Sequence, residues 1–330
     1  MGGGHKHKRR YRAGFLGAGL LVVVIGTVML TARPSLERWP ALAVRSDAAD
    51  GDLTMRFIGT SGIVLSDGAD TVVMDGFVSR PTLWQLLRGR VSSDAAMVQQ
   101  VMNMTQVTNL SALMVTHSHY DHAMDAASWV KQAGGEIWGT PSTQKIARAE
   151  GVDDARIVLA NDMMSAGDFT VQFFELDHAP GEMMQGDVEQ GFKVPAHANQ
   201  YRTGGGLGFY ITHGQCRILA VPSAGMAQDD LSQFPADVVL LSIGQLGLQG
   251  DDYIRRYWLD TVVASGAKLV IPIHWDDFTR SLNKPLRPLP YAVERIDRAM
   301  SKITALAGDQ VIVALPVVFE PLDLSASGAC

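Results

Sequence analysis

From Leu53 onward the chain alternates short apolar runs with Gly, Asp and Ser. LTMRFIG, GIVLSDG and TVVMDGF follow one another with little between them, the pattern of strands in a meander of hairpins. Two helical segments come next: TLWQLLRGRV after Pro81, and DAAMVQQVMNM with Ser92-Ser93 offered as N-caps. The apolar run ALMVTH predicts a buried strand, and MDAASWVKQAG a helix closed by Gly134-Gly135. EIWGTP and ARIVLA read as strands around the helix STQKIARAEG. The second half repeats the style, with strands in FTVQFFELD, LGFYITHG, CRILAVPSAG, DVVLLSIG, KLVIPIHW and QVIVALP. Its helices are DDYIRRYWLDTVVASG and YAVERIDRAMSKITALAG. Strands in both halves, with helices between and after them, predict an α/β (α+β) fold of two sheets packed face to face with helices outside.

The N-terminus breaks this pattern. Ala13 to Ala32, AGFLGAGLLVVVIGTVMLTA, carries no charge and follows the basic run KHKRRYR. A helix of that length spans roughly the 30 Å hydrocarbon core of a bilayer. The basic flank then stays in the cytoplasm and the rest lies on the periplasmic or other extracytoplasmic side. The alternative is a signal peptide cleaved near Thr31-Ala32, which would release the protein. His5 and His7 belong to the charged flank. The expected organisation is a basic flank at 1–12, a transmembrane signal anchor at 13–32 and a linker at 33–50. A single domain at 51–320 and a C-terminal tail at 321–330 complete it.

Composition changes the picture in two ways. Hydrophobic residues make up 47% and charged ones 19%, enough for a well-built core. Residues 1–12 hold five Lys/Arg and no acid, so the remainder carries 23 basic against 34 acidic side chains, a net −11. So acidic a body is a poor partner for a phosphate backbone and argues against a nucleic-acid partner. Cys216 and Cys330 make no disulfide framework. Cys216 is expected as a buried unpaired thiol and Cys330 as an exposed one, a bridge between them being the less favoured alternative.

The chemistry is concentrated in VTHSHYDHAM, Val115 to Met124, which places three of the chain's nine histidines and an aspartate within six positions. His117 and His119, two apart in an extended segment, point to one side. Asp121 and His122, in the first turn of a helix, reach a second point nearby. Imidazole nitrogen and carboxylate oxygen suit zinc and its neighbours. The triple glycine 204–206 lacks a following Lys and helix start, which argues against a phosphate-cradling loop.

The pattern His-x-His-x-Asp-His after an apolar strand resembles the metallo-β-lactamase fold superfamily, over roughly residues 54–280. GTSGIVLSDG and VVMDGFVSRP look most like its branch of ascorbate-phosphate lactonases and N-acylethanolamine phospholipase D. The resemblance implies an αββα sandwich and a metal-dependent hydrolase. Carried over by position, His117, His119 and His178 hold a first metal, and Asp121, His122 and His274 a second. A water or hydroxide between them is the nucleophile, zinc lowering the pKa of bound water to about 7. Two zinc ions are expected, with one ion, or iron or manganese, as alternatives. With the first site alone filled, Asp121 becomes the general base.

Asp75, closing an early strand, is expected to brace the histidine loop by hydrogen bonds. Ser223, in RILAVPSAGM, stands where the family has a metal-bridging aspartate, and is expected to hydrogen-bond a metal-bound water. His197, in FKVPAHANQYRTGGG, competes with His178 as third ligand; otherwise His197 and Tyr201 belong to a loop beside the site, on the substrate side. His213 is expected to be structural, and Asp276 and Asp277 either orient a histidine or lie in a solvated turn.

The expected function is a membrane-anchored hydrolase of an ester, lactone or phosphodiester-type substrate, a small molecule or a lipid-like one. A periplasmic zinc β-lactamase, a mono-iron sulfur dioxygenase and a non-catalytic binding module on a decayed site are the alternatives.

Overall fold

The computed structural model describes residues 26, 28, 31–45, 52–161, 163–324 and 330. The first half runs β1 (Thr54–Gly59), β2 (Gly62–Ser66), β3 (Thr71–Met74), α1 (Leu83–Arg88), α2 (Ala95–Thr105) and β4 (Ala112–Met114). It continues through α3 (Tyr120–Ala123), α4 (Ala126–Ala133), β5 (Glu136–Gly139), α5 (Pro141–Ala149) and β6 (Ile157–Leu159). The second half comprises β7 (Met163–Ala166), β8 (Phe169–Glu175), β9 (Leu207–His213), β10 (Cys216–Val221) and β11 (Val238–Ser242). Then come α6 (Asp251–Trp258), β12 (Leu269–Ile273), α7 (Ile296–Ala307), β13 (Ile312–Val313) and β14 (Pro321–Leu322).

Two seven-stranded sheets form, in the orders β14-β1-β2-β3-β4-β5-β6 and β13-β12-β11-β10-β9-β8-β7. Each begins as an antiparallel meander and continues as a parallel run: β3 to β6 in the first, β10 to β13 in the second. The period of two along the strands assigns the layers. Met55 and Phe57, Ile63 and Leu65, and Val72 and Met74 join the core cluster shared with the second sheet. Ile58, Val64 and Val73, each next to one of these, join a separate cluster with Val98 and Val101 of α2 and Trp129 and Val130 of α4. The first sheet is therefore apolar on both faces, as a sheet sandwiched between another sheet and helices must be. On the far side Ile254 and Tyr257 of α6 and Met300 and Ile303 of α7 pack on the second sheet. Helix, sheet, sheet, helix is the layering the resemblance implies.

Several expectations change. The predicted anchor at 13–32 lies outside the described residues except at four positions, and no described helix is long and apolar enough to cross a membrane. Part of the expected linker is packed rather than free. Trp39 and Leu42 are buried in the shared core, and Leu42 donates its backbone N–H to Leu315. The apolar side chains on either side of Pro40 explain it. The expected tail likewise starts with β14, which pairs with β1. Asp94, not Ser92 or Ser93, caps α2, accepting from the Ala96 and Met97 amides. The last helix starts at Ile296 rather than near Tyr291.

Cys216 and Cys330 form a disulfide, against the expectation of two free thiols. They are 114 residues apart, so no local spacing announces the pair.

Candidate metal centre and active site

The carboxyl ends of parallel strands β3, β4, β10, β11 and β12 lead into one cleft, where open α/β sheets place their ligands. Asp75 follows β3, the histidine cluster follows β4, Ser223 follows β10 and His274 follows β12. His178 arrives from the end of β8.

Six side chains meet there in two groups: His117, His119 and His178; and Asp121, His122 and His274. Within each group the potential ligand atoms lie within 4.8 Å of one another. Ring centroids of the first group are 4.7 to 5.0 Å apart, and His117 and His122, one from each group, are 3.9 Å apart. His117, His119, Asp121 and His122 are buried, while His178 and His274 are half-buried at the opening.

Hydrogen bonds fix which nitrogen of several rings faces inward. His122 Nδ1 lies 2.8 Å from the Asp75 carboxylate, which can only accept, so Nδ1 donates and Nε2 keeps its lone pair. His119 Nε2 donates to the Met184 carbonyl at 3.2 Å, with Thr203 Oγ1 and Glu182 Oε1 each at 3.3 Å. Its Nδ1 then faces His117 Nε2 at 3.0 Å. His178 Nδ1 donates to the Ala179 carbonyl at 3.1 Å, freeing Nε2. Asp121 Oδ2 is 3.5 Å from His274 Nε2 and 3.8 Å from His122 Nε2.

Electrostatics act in the same direction at His117 and His178. Burial, then the neighbouring His122, His119, His178 and His274 rings, hold His117 well below the usual imidazole range. Burial and His119 lower His178 to about 4. Both rings are therefore neutral at pH 7, as a metal ligand requires. Burial alone would raise Asp121, but the facing His122 and His274 outweigh it and hold the carboxyl below its usual range. Burial would lower His274, and Asp121 more than reverses this, so its pKa is raised. The donor set fits the group the fold implies: converging imidazole lone pairs on one side, and imidazoles with a carboxylate on the other, are chemistry for zinc-like or iron-like cations.

The surrounding loops are braced. Asp75 is fully buried and also accepts from the Thr116 amide at 2.8 Å, the Thr116 hydroxyl and Ser61 Oγ at 2.9 Å. Asp276 is buried, not in a solvated turn: it pairs with buried Arg80 at 2.5 Å and accepts from the Thr60 amide at 2.7 Å. Thr60 returns its carbonyl to the His274 amide. Asp277 is buried too, paired with Arg33 at 3.3 Å and Arg287 at 3.6 Å. Thr60, Asp75, Arg80 and His274 all have positive φ, a cluster of strained backbone around one cleft. At Gly244 a Cβ would come within 2.8 Å of His274 Nδ1, so no larger residue leaves that ring in place.

Ser223 lines the cleft, and its Oγ accepts from the Ala179 amide at 3.0 Å, bracing the turn that carries His178. His197 and Tyr201 do not join the site. His197 is exposed and bonded to the Gly89 carbonyl through Nδ1 at 2.8 Å. Tyr201 is fully buried against Phe192 in the helix-side core, where its aromatic body earns its burial. His213 pairs with Asp67 at 2.9 Å, away from the cleft. Sequence reasoning missed Arg80, Glu182 and Thr203. Arg80 lies 196 residues from its partner Asp276, and nothing local marks it.

The cavity in front of the six groups measures about 360 Å³.

No family model matches the sequence, and no curated protein matches it either. Solved structures do match. A possible metal-dependent hydrolase from Veillonella parvula is 16% identical, with a TM-score of 0.51 over 82% of this chain and 98% of its own. An isothiocyanate hydrolase from Delia radicum gut bacteria is 14% identical, with a TM-score of 0.51 over 82% and 99%. The metallo-β-lactamase fold protein YhfI from Bacillus subtilis is 14% identical, with a TM-score of 0.47 over 82% and 98%. The chain is thus similar in fold to the Veillonella and gut-bacterial hydrolases, and its described residues include His/Asp clusters able to hold metal.

Proposed function

We propose that this chain is a metal-dependent hydrolase of an ester, lactone or phosphodiester, held at a membrane by residues 13–32 with its catalytic domain on the extracytoplasmic side. The observation that carries the hydrolase reading is the meeting of two potential ligand groups in one cavity, with the outward nitrogens of His119, His122 and His178 tied off by hydrogen bonds. His117, His119 and His178 would hold one zinc ion, and Asp121, His122 and His274 a second. Bound there, such ions make water acidic enough to supply hydroxide at neutral pH and polarise the bond under attack. With the first group alone filled, the Asp121 carboxylate, 3.5 Å from His274 Nε2, would instead be free to orient a water and hold its proton. The Ser223 hydroxyl keeps its own proton to donate into the cleft, since its lone pair receives the Ala179 amide. The disulfide supports an oxidising compartment. The basic flank supports the orientation of the anchor. The test is hydrolysis of a neutral aryl ester by the full chain: chelation should abolish it and added zinc restore it. Turnover that survives complete chelation would refute the reading.

A further inference from the structure

We infer that the cavity takes an uncharged ester or lactone bearing an apolar chain, which enters from the lipid side. The bond that breaks rests on the hydrolase reading and the entry from lipid on the proposed anchor; the class of molecule that binds rests on neither.

The argument starts with the wall beyond the metal-facing groups. Met184, Leu248, Trp275, Phe278, Leu289 and Ile296 line it, and no Lys or Arg does among the described residues. Its carboxylates are Glu182 and Glu294. Glu294 is buried and accepts from the Gln245 and Arg295 amides, while Glu182 faces His119. A carboxylate or phosphate on the far part of a substrate would lose its water against two carboxylates, with no cation to meet it. An alkyl chain loses nothing there. About 360 Å³ falls within the range of small-ligand pockets.

The mouth has the same character. Met183 is 93% exposed, Leu248 53% and Val293 52%, and all three line the cavity. An apolar rim open to water at this degree marks an interaction surface. The segment carrying Leu289 and Val293 is fastened to the residues where the uncharged run 13–32 ends. Tyr291 donates its amide to the Ala32 carbonyl at 3.0 Å, and Arg33 donates to the Pro288 carbonyl at 2.9 Å. With 13–32 in a bilayer, the rim lies beside the point where the chain leaves it, and an amphiphile can pass from lipid into the cavity.

The test uses the full chain in phosphatidylcholine vesicles. Diazirine probes share one ten-carbon chain but end in a methyl ester, a carboxylate or a phosphodiester. The ester probe should label peptides holding Leu248 and Val293 about tenfold more than either anionic probe, the ratio expected from a modest desolvation penalty. Leu248→Arg with Val293→Arg, both at exposed positions, should cut that labelling about tenfold while thermal unfolding stays unchanged. Equal labelling by an anionic probe, or labelling indifferent to the double variant, would overturn the inference. Turnover separates the two readings. Labelling without hydrolysis of the ester would refute the hydrolase and leave the binding class standing. Hydrolysis of acetyl and decanoyl esters with equal kcat/KM would do the reverse, because each buried methylene should be worth about three- to fourfold.

Discussion

Three groups of histidine and aspartate among the described residues bring their potential ligand atoms equally close, and the third differs from the two in the cleft in nearly everything else. Asp67, Asp168 and His213 also bring potential ligand atoms within 4.8 Å, at the turns between β2 and β3, β7 and β8, and β9 and β10. There, Asp67 spends one oxygen on the Ala69 and Asp70 amides and the other on His213, and Asp168 is exposed. That group is a hydrogen-bonded pair locking strand turns. In the cleft, hydrogen bonds take up the nitrogens that face away from the centre, and the ones left over converge on a cavity. Residue type and proximity do not make a metal centre; the direction in which the unused lone pairs point does.

The bracing of the cleft should be expensive to remove. Arg80→Met leaves Asp276 buried and unpaired beneath the His274 loop, and should destabilise the fold by about 3–5 kcal/mol. Denaturant unfolding checks this, and a change under 1 kcal/mol would mean that Asp276 finds water or another partner. Asp75→Asn keeps the shape but replaces the acceptor that fixes the His122 tautomer, and should weaken metal binding about 10- to 100-fold. Competition with a zinc chelator measures it. Unchanged affinity would remove Asp75 from the account.

The Asp67 group should behave oppositely. His213→Ala should leave metal content and turnover alone and cost about 1 kcal/mol or less. Its effect depends on pH. Burial would raise Asp67, but the Asp70 and Ala69 amides and His213 outweigh it and lower its pKa. The pair's contribution is therefore present above the ordinary aspartate value and lost as acid protonates Asp67, through the range below about pH 4. Stability curves of the two proteins should converge there. Metal loss in His213→Ala would erase the distinction between the two groups.

How much of this was legible in the sequence follows from range. Strands and layers could be read from the period of two, and the six potential metal-facing residues lie at strand ends that apolar runs announce. What could not be read is long-range. The Arg80–Asp276 pair spans 196 residues and the disulfide 114. Trp39 and Leu42 looked like linker because packing, not periodicity, fixes them. His197 and Tyr201 misled for a related reason. A loop's direction is set by what it packs on, and theirs turns Tyr201 into the core and His197 to the surface.

The central claim is that the cleft binds two ions through two separate groups. Metal content per full chain, measured after saturation and exhaustive dialysis, tests it most directly when His274→Ala is measured beside it. The account predicts about two ions in the unaltered chain and about one in the variant, since the remaining three-histidine group still meets the coordination needs of one zinc. One ion that ignores the substitution would remove His274 from the metal centre, and none in either protein would contradict the account.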